Sequence, residues 1–473
     1  MRTLMKMALA AMAIGTKGLT VLAQHPISSD VTARVESAVA DVMTRTSVPS
    51  ASVGIVQGGR VVFTRAYGKA RLDPPMAATP ELHYAIGSIS KQFTTACILL
   101  LQQDGKLSID DPIAKYFPEL TRARDVTIRN ILSHTSGYED YAPQDYTIPA
   151  WTKPTTADRI VHEWATKPLD FEPGTQYQYS NTNFNIAGLI VEKVTGERFW
   201  TFLSRRVLKP LGLNHTIDLD TEHAQLEPTG YMRNALGPLR PAVMEARGWY
   251  FADGEMAMPV SDLLTWDISL MNQSLLSPAS YALMEADMKL KNGQTAHYGL
   301  GVSLSMRDGH RVVSHGGEVG GFVAQNIVFP DDKVAVAVLT NQEASSAASA
   351  IARAISLVLV PPSAAPSAPA TEAARAEAQA KQILAGLEQG RIDRALFTPN
   401  CNFYFDATAI ADYQKSLSPF GPVQAVTETS SSLRGGMTFR AFDVTFASGA
   451  KVRLTTYTTS DGRIEQFLID SAG

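Results

Sequence analysis

Val35, Val39 and Val42 are apolar at helical spacing and predict an amphipathic helix over 31–46. The pattern then changes. Ala51-Ser52-Val53-Gly54-Ile55-Val56 and Val61-Val62-Phe63-Thr64, parted by the turn Gly58-Gly59, predict a β-hairpin. In the run Ala96-Cys97-Ile98-Leu99-Leu100-Leu101 the longer period returns. Phe93, Cys97, Leu100 and Leu101 share one helical face, and Gly105 stands where that helix stops. Asp110-Asp111-Pro112 starts a short element, and 126–132 predicts a helix ending near His134-Thr135-Ser136-Gly137. From there to about residue 290 the chain reads as mostly helical with long loops.

Strand patterning resumes at 298–304, 311–314, 322–329 and 334–340, with Asp308-Gly309 and Asp331-Asp332 as turns, and 344–360 predicts a helix. Strands at both ends with helices between imply an α+β layout: an antiparallel sheet built from distant parts of the chain, with a mainly helical lobe inserted. Residues 361–371 are rich in Pro, Ala and Ser and read as a linker. Beyond them a helix over 372–388 ends at Gly390. Strands are predicted around Phe442-Val444-Phe446, Val452-Leu454 and Phe467-Ile469, in a small α+β module spanning 372–473.

Composition narrows this picture. The 473 residues are 45% hydrophobic and 19% charged, an ordinary globular balance. A net charge of -4 gives no reason to expect nucleic acid or an anionic membrane as partner. Cys97 and Cys401 are far apart in sequence, so no disulfide framework and no Cys-based metal site is expected. Arg2 and Lys6 followed by Met7-Ala8-Leu9-Ala10-Ala11-Met12-Ala13-Ile14-Gly15, then Val21-Leu22-Ala23, read as an export signal over 1–23, with 24–360 as the main domain. No later run reaches the ~18 apolar residues of a membrane span.

Three stretches carry chemistry. In Ser88-Ile89-Ser90-Lys91 the serine falls at a helix N-terminus and the lysine one turn on, so hydroxyl and amine can meet. A chain of this length holds roughly one or two such S-x-x-K matches by chance. In Tyr179-Ser180-Asn181 the phenol could relay a proton beside an ammonium, and the amide could orient a carbonyl. Alone, that stretch reads better as a packed tyrosine and a helix N-cap. His315-Gly316-Gly317, at the end of a strand, admits a substrate backbone and offers N–H groups to an oxyanion, although by itself it reads better as a glycine-rich turn with a surface histidine.

Together, in this order and at these separations, the three stretches resemble the class C β-lactamase-like serine hydrolases, a family of β-lactamases, D-alanyl-D-alanine carboxypeptidases, D-aminopeptidases and esterases. Leu132-Ser133-His134-Thr135-Ser136-Gly137, the stretch from Phe171 to Asn181, Ser261-Asp262-Leu263 and Leu339-Thr340-Asn341 extend the likeness over roughly 30–360. Residues 372–473 resemble small cone-shaped modules of the NTF2-like type.

The resemblance implies a serine hydrolase that needs neither metal nor cofactor and works through an acyl-enzyme on Ser88. Lys91 and Tyr179 would share the base's work, with His315 as the third catalytic position. Asn181, Gly316 and Gly317 would hold the substrate, and the backbone N–H groups of Ser88 and Glu318 would form the oxyanion hole. One departure matters: relatives that act on β-lactams or C-terminal carboxylates carry K-T-G where this chain has His315-Gly316-Gly317. A histidine of ordinary pKa is mostly neutral at pH 7. Small or peptide-like esters and amides are the expected substrates, with D-amino-acid peptides or weak β-lactam turnover as the alternative. A non-catalytic binding protein on the same scaffold is the reading from another class.

Overall fold

Two runs, Ser50–Gln57 and Val334–Thr340, are buried at nearly every position. Strands covered on both faces need continuous apolar runs rather than alternation, and these two form the centre of the main sheet. The computed structural model describes residues 27–307, 309–361, 373–434, 437–459 and 461–471. The strands are β1 (Ser50–Gln57), β2 (Arg60–Arg71), β3 (Met76–Ala77), β4 (Ser303–Arg307), β5 (His310–Val319), β6 (Phe322–Phe329) and β7 (Val334–Thr340). They pair antiparallel in the order β3-β2-β1-β7-β6-β5-β4. The β1–β7 pairing, from Ala51↔Thr340 to Gln57↔Val334, closes the sheet from the two ends of the main domain.

Helices cover both faces: α1 (Ser29–Thr46), α2 (Ser90–Gln103), α3 (Asn181–Thr195), α4 (Val260–Asn272) and α5 (Ala347–Leu359). Helices α1 and α5 bury Val35, Val39, Ile351 and Ile355 against Val53 and Val336. On the opposite face Phe93, Leu264 and Trp266 join Val56, Ala337 and Leu339. Helix α4 seats so closely on β1 that a Cβ at Gly54 would lie 2.6 Å from Leu264 Cδ1. The inserted lobe lies between β3 and β4 and contains α2, α3 and α4.

The C-terminal part contains α6 (Ala373–Leu387), α7 (Ala407–Leu417) and a four-stranded antiparallel sheet: β8 (Val423–Arg434), β9 (Met437–Phe446), β10 (Lys451–Thr458) and β11 (Ile464–Ser471). Its core contains Leu384, Phe405, Tyr413, Phe442 and Phe467, with Ala235 of the inserted lobe packed into it. Polar contacts tie it to the main part as well. Tyr146 donates to the Glu465 carbonyl at 3.0 Å, the Asp145 N–H donates to Gln466 at 2.7 Å, and Arg233 pairs with Asp470 at 3.2 Å.

Helix α7 was not predicted, and further details differ from the sequence expectation. The strand expected over 298–304 enters the sheet only at Ser303, because a tight loop precedes it in which Gly301 takes φ +71°. The strand expected over 311–314 continues to Val319, so His315-Gly316-Gly317 lies within β5 and not at its end. The turn falls at Gly320-Gly321, with Val319 paired to Phe322. Helix α5 starts at Ala347 rather than 344. The C-terminal sheet has a fourth strand, β8, that the pattern did not predict. Only Val423 and Val426 of it are buried, so it shows no alternation. The export signal, and the linker beyond Pro361, lie outside the described residues.

Candidate active site

Ser88 sits in a 3-10 turn, Gly87–Ile89, that runs straight into α2, and Lys91 follows on the first turn of the helix. The i, i+3 relation brings Lys91 Nζ to 2.8 Å from Ser88 Oγ. Lys91 is wholly buried and has two further partners, Asn181 Oδ1 at 2.7 Å and the Asp253 carbonyl at 2.9 Å. Burial lowers its amine to about 8 against the pull of Asp253 and Asp140. Once neutral, the amine can keep donating to Asn181 and the Asp253 carbonyl while its lone pair faces the serine. Asp253 is the counter-charge, with Oδ2 3.9 Å from Nζ. Burial raises its carboxyl to about 7, and Lys91 opposes that rise.

Tyr179 and Asn181 flank the start of α3. Ser180 is the cap residue, without a side-chain capping bond. Asn181 is therefore not the N-cap that the local reading allowed, and its side chain bonds Lys91 instead. The Tyr179 hydroxyl is buried and makes no well-formed hydrogen bond. Burial pushes this phenol well above its ordinary value, while the Arg434 guanidinium and then Ser88 draw it back. Its ring lies 5.2 Å from Lys91 Nζ and 4.2 Å from the His134 ring, centre to centre.

His315 is buried, and both ring nitrogens are engaged. Nδ1 lies 2.5 Å from the Gly316 carbonyl oxygen, so it carries the hydrogen. Nε2 therefore accepts from the Tyr298 hydroxyl at 2.8 Å. Burial lowers the ring to about 4, which leaves it neutral at pH 7. The glycines beside it serve contact rather than turning. A Cβ on Gly317 would fall 1.8 Å from the Ile86 carbonyl oxygen and 2.9 Å from Ser88 N. A Cβ on Gly87 would fall 2.6 Å from Glu318 N. The Gly317-Glu318 backbone thus lies directly against Gly87-Ser88 and brings together the two N–H groups expected to face an oxyanion.

Ser88, Tyr179, Asn181, His315, Gly316, Gly317 and Glu318 all line one cleft of about 500 Å³, and Lys91 lies just behind the serine. Sequence reasoning missed the groups that fix them. Asp140 accepts the Asn181 N–H at 2.9 Å, and Asp253, Tyr298 and the distant Arg434 are equally part of the site. None stands in a recognisable motif, and only the fold brings them near Ser88. Among the described residues, no group of three or more His, Cys, Asp or Glu could hold a metal ion, and no helix is long and apolar enough to cross a membrane.

Comparison with known proteins gives a consistent answer. A D-aminopeptidase of Brucella anthropi is 29% identical over 301 residues, which cover 62% of this chain and 56% of that protein. The chain thus spans little more than half the length of this curated relative. The D-stereospecific amidohydrolase of a Streptomyces species superimposes with a TM-score of 0.58 at 26% identity, covering 70% of this chain and 99% of the other. The octameric penicillin-binding protein homologue of Pyrococcus abyssi shares the fold over 93% of this chain and 99% of its own, with a TM-score of 0.63 at 22% identity. The Beta-lactamase family model matches residues 35–359, well over half the chain, across the sheet, the inserted lobe and every motif residue of the cleft. This chain belongs to the beta-lactamase family.

Proposed function

We propose that this chain is a serine amidohydrolase that forms an acyl-enzyme on Ser88 and prefers amides or short peptides of D-amino acids. The observation that carries the reading is the buried Lys91 amine, 2.8 Å from Ser88 Oγ and lowered to about 8. Neutral Lys91, with Tyr179, takes the serine proton as Oγ bonds to the substrate carbonyl carbon. The Ser88 and Glu318 N–H groups face the oxyanion. The leaving amine departs with a proton, and water activated by the same pair releases the acid.

The substrate class rests on two supports. The relatives named above are a D-aminopeptidase and a D-stereospecific amidohydrolase. The cleft also lacks a lysine where carboxylate-binding relatives have one. Neutral His315 stands there, and Glu245, Glu318 and Glu343 line the same cleft with carboxyls that burial raises. Burial holds these carboxyls toward their neutral form; an ammonium on the substrate would draw them back to carboxylates and pair with them, whereas a substrate carboxylate would find no counter-charge in them. Within this reading, residues 1–23 direct export, which N-terminal sequencing of the mature protein checks.

The test is labelling with a fluorophosphonate and turnover of D-alaninamide, L-alaninamide, p-nitrophenyl acetate and a cephalosporin. Expected are an adduct on Ser88, faster turnover of the D-amide than of the L-amide or cephalosporin, and loss of all turnover in Ser88→Ala. Absence of an adduct, with Ser88→Ala turning over like wild type, overturns the hydrolase reading. A cephalosporin turned over faster than the D-amide overturns the substrate class.

A further inference from the structure

Strand β8 stays paired with β9 to its last residue, Arg434, which lines the cleft and forms a parallel bridge with Tyr179. Its guanidinium is fully engaged there. Nε donates to Asp140 Oδ2 at 2.9 Å, Nη2 to the Ala142 carbonyl at 2.9 Å, and Nη1 to the Tyr457 hydroxyl at 3.0 Å, with Asp145 at 3.7 Å. The two acceptors in the 140–142 segment also hold Asn181. Asp140 Oδ1 accepts the Asn181 N–H at 2.9 Å, and the Ala142 carbonyl accepts from Asn181 Nδ2 at 3.1 Å. Asn181 Oδ1 in turn takes the hydrogen bond from Lys91. The carbon at the centre of the guanidinium lies 5.0 Å from the Tyr179 ring centre.

We propose that Arg434, supplied by the C-terminal sheet, is a positioning residue of the serine site. Its planar fork fixes the 140–142 segment that orients Asn181, and its charge stands against Tyr179. The proposal rests on the serine hydrolase reading of the cleft. An ion pair with Asp140 alone would not require the second bond to Ala142 or the approach to the phenol. A planar, always charged fork does all three at once, and a lysine could not. A fixed cation here favours the deprotonated form of either candidate base. Arg434 lowers both Lys91 and Tyr179. Other groups face the pair too. Asp140 raises both, Asp253 raises Lys91, and Tyr177 raises Tyr179. His134, Tyr298 and neutral His315 add no cation at pH 7.

The sign of the expected effect follows. With the cation gone, the pKa of either base rises, and the acid limb of the rate profile moves to higher pH. The experiment uses the full chain as wild type, Arg434→Met and Arg434→Lys. It follows the rate of Ser88 labelling by a fluorophosphonate, and of D-amide turnover, across the pH range. Arg434→Met is expected to slow labelling by roughly tenfold or more and to shift the limb up by about one unit. Arg434→Lys is expected to keep the limb in place, because charge is retained, yet stay roughly tenfold slow because the fork is lost. A folded Arg434→Met that labels within about twofold of wild type at an unmoved limb overturns the proposal. Should Arg434→Met fail to fold, Arg434→Lys decides alone: slow labelling at an unmoved limb supports the proposal, and a wild-type rate overturns it. A wild type that takes no label on Ser88 instead brings down the hydrolase reading beneath it.

Discussion

At the scale of single residues the proposed mechanism matches one nucleophile to one buried amine. Lys91 acts as a base only when neutral, and its pKa is about 8. The rate of acylation should therefore rise about tenfold per pH unit below that value and level off above it. His315 has a value of about 4 and is neutral above about pH 5, so it adds no limb of its own between about pH 5 and 7. A pH–rate profile of kcat/KM checks both points. Tyr179→Phe removes only a hydroxyl that makes no well-formed hydrogen bond and should slow turnover by roughly a hundred- to ten-thousand-fold, with little change in melting temperature. The grouping of these side chains in one cleft was legible in the sequence. Ser88, Lys91, Tyr179, Asn181 and His315 stand in motifs whose order and spacing carry information. Asp140 and Asp253 do not, because nothing local sets them apart among the chain's 46 acidic residues. Only tertiary placement makes them partners of Asn181 and Lys91.

At the scale of elements, the critical contact is between β5 and the Gly87–Ile89 turn. Gly317→Ala should push these two apart, since the new Cβ would overlap the Ile86 carbonyl. That separates the N–H groups of Ser88 and Glu318, and kcat should fall by roughly a hundred- to a thousandfold, the cost of losing an oxyanion donor. KM should change less, and steady-state kinetics separate the two. Gly54→Ala, by contrast, should cost about 1–3 kcal/mol through overpacking against Leu264 and leave the chemistry of the folded fraction unchanged. Thermal melting together with active-site titration distinguishes the cases. The elements around these contacts were readable to different degrees. Strand β7 gave a nearly continuous apolar run, and β1 one broken only by the small Ser52 and Gly54, because helices bury both their faces. Strand β8 gave none, because it is a largely exposed edge strand whose function lies at its last residue. The His315 stretch looked like a strand end because paired glycines usually signal a turn. Here they permit a close approach in mid-strand.

At the scale of the whole molecule, the sequence suggested two parts joined by a linker, and the structure joins them a second time through their surfaces. Arg233 of the inserted lobe and Asp470 of β11 are both largely buried and pair at 3.2 Å. Asp470 also accepts the Ser346 N–H at 2.5 Å, just before α5. One carboxylate thus fastens the C-terminal sheet to the lobe and to the main sheet's helical cover, and Arg434 enters the cleft from that fastened sheet. Arg233→Met removes the cation and leaves Asp470 buried without its counter-charge, a loss of about 3 kcal/mol. If the two parts unfold as one unit, the variant keeps a single melting transition at a lower temperature. If they unfold separately, calorimetry resolves two transitions and only the one containing β11 moves. The polar contacts from Tyr146, Asp145, Arg233 and Arg434, with Ala235 set in the C-terminal core, favour the single transition. Labelling of Ser88 near that transition extends the test to function. Loss of the label at the same temperature as loss of the C-terminal sheet is the expected outcome, because in a single transition the serine site and the sheet are lost together. Labelling that persists after the sheet has melted would mean that the serine site stands without it.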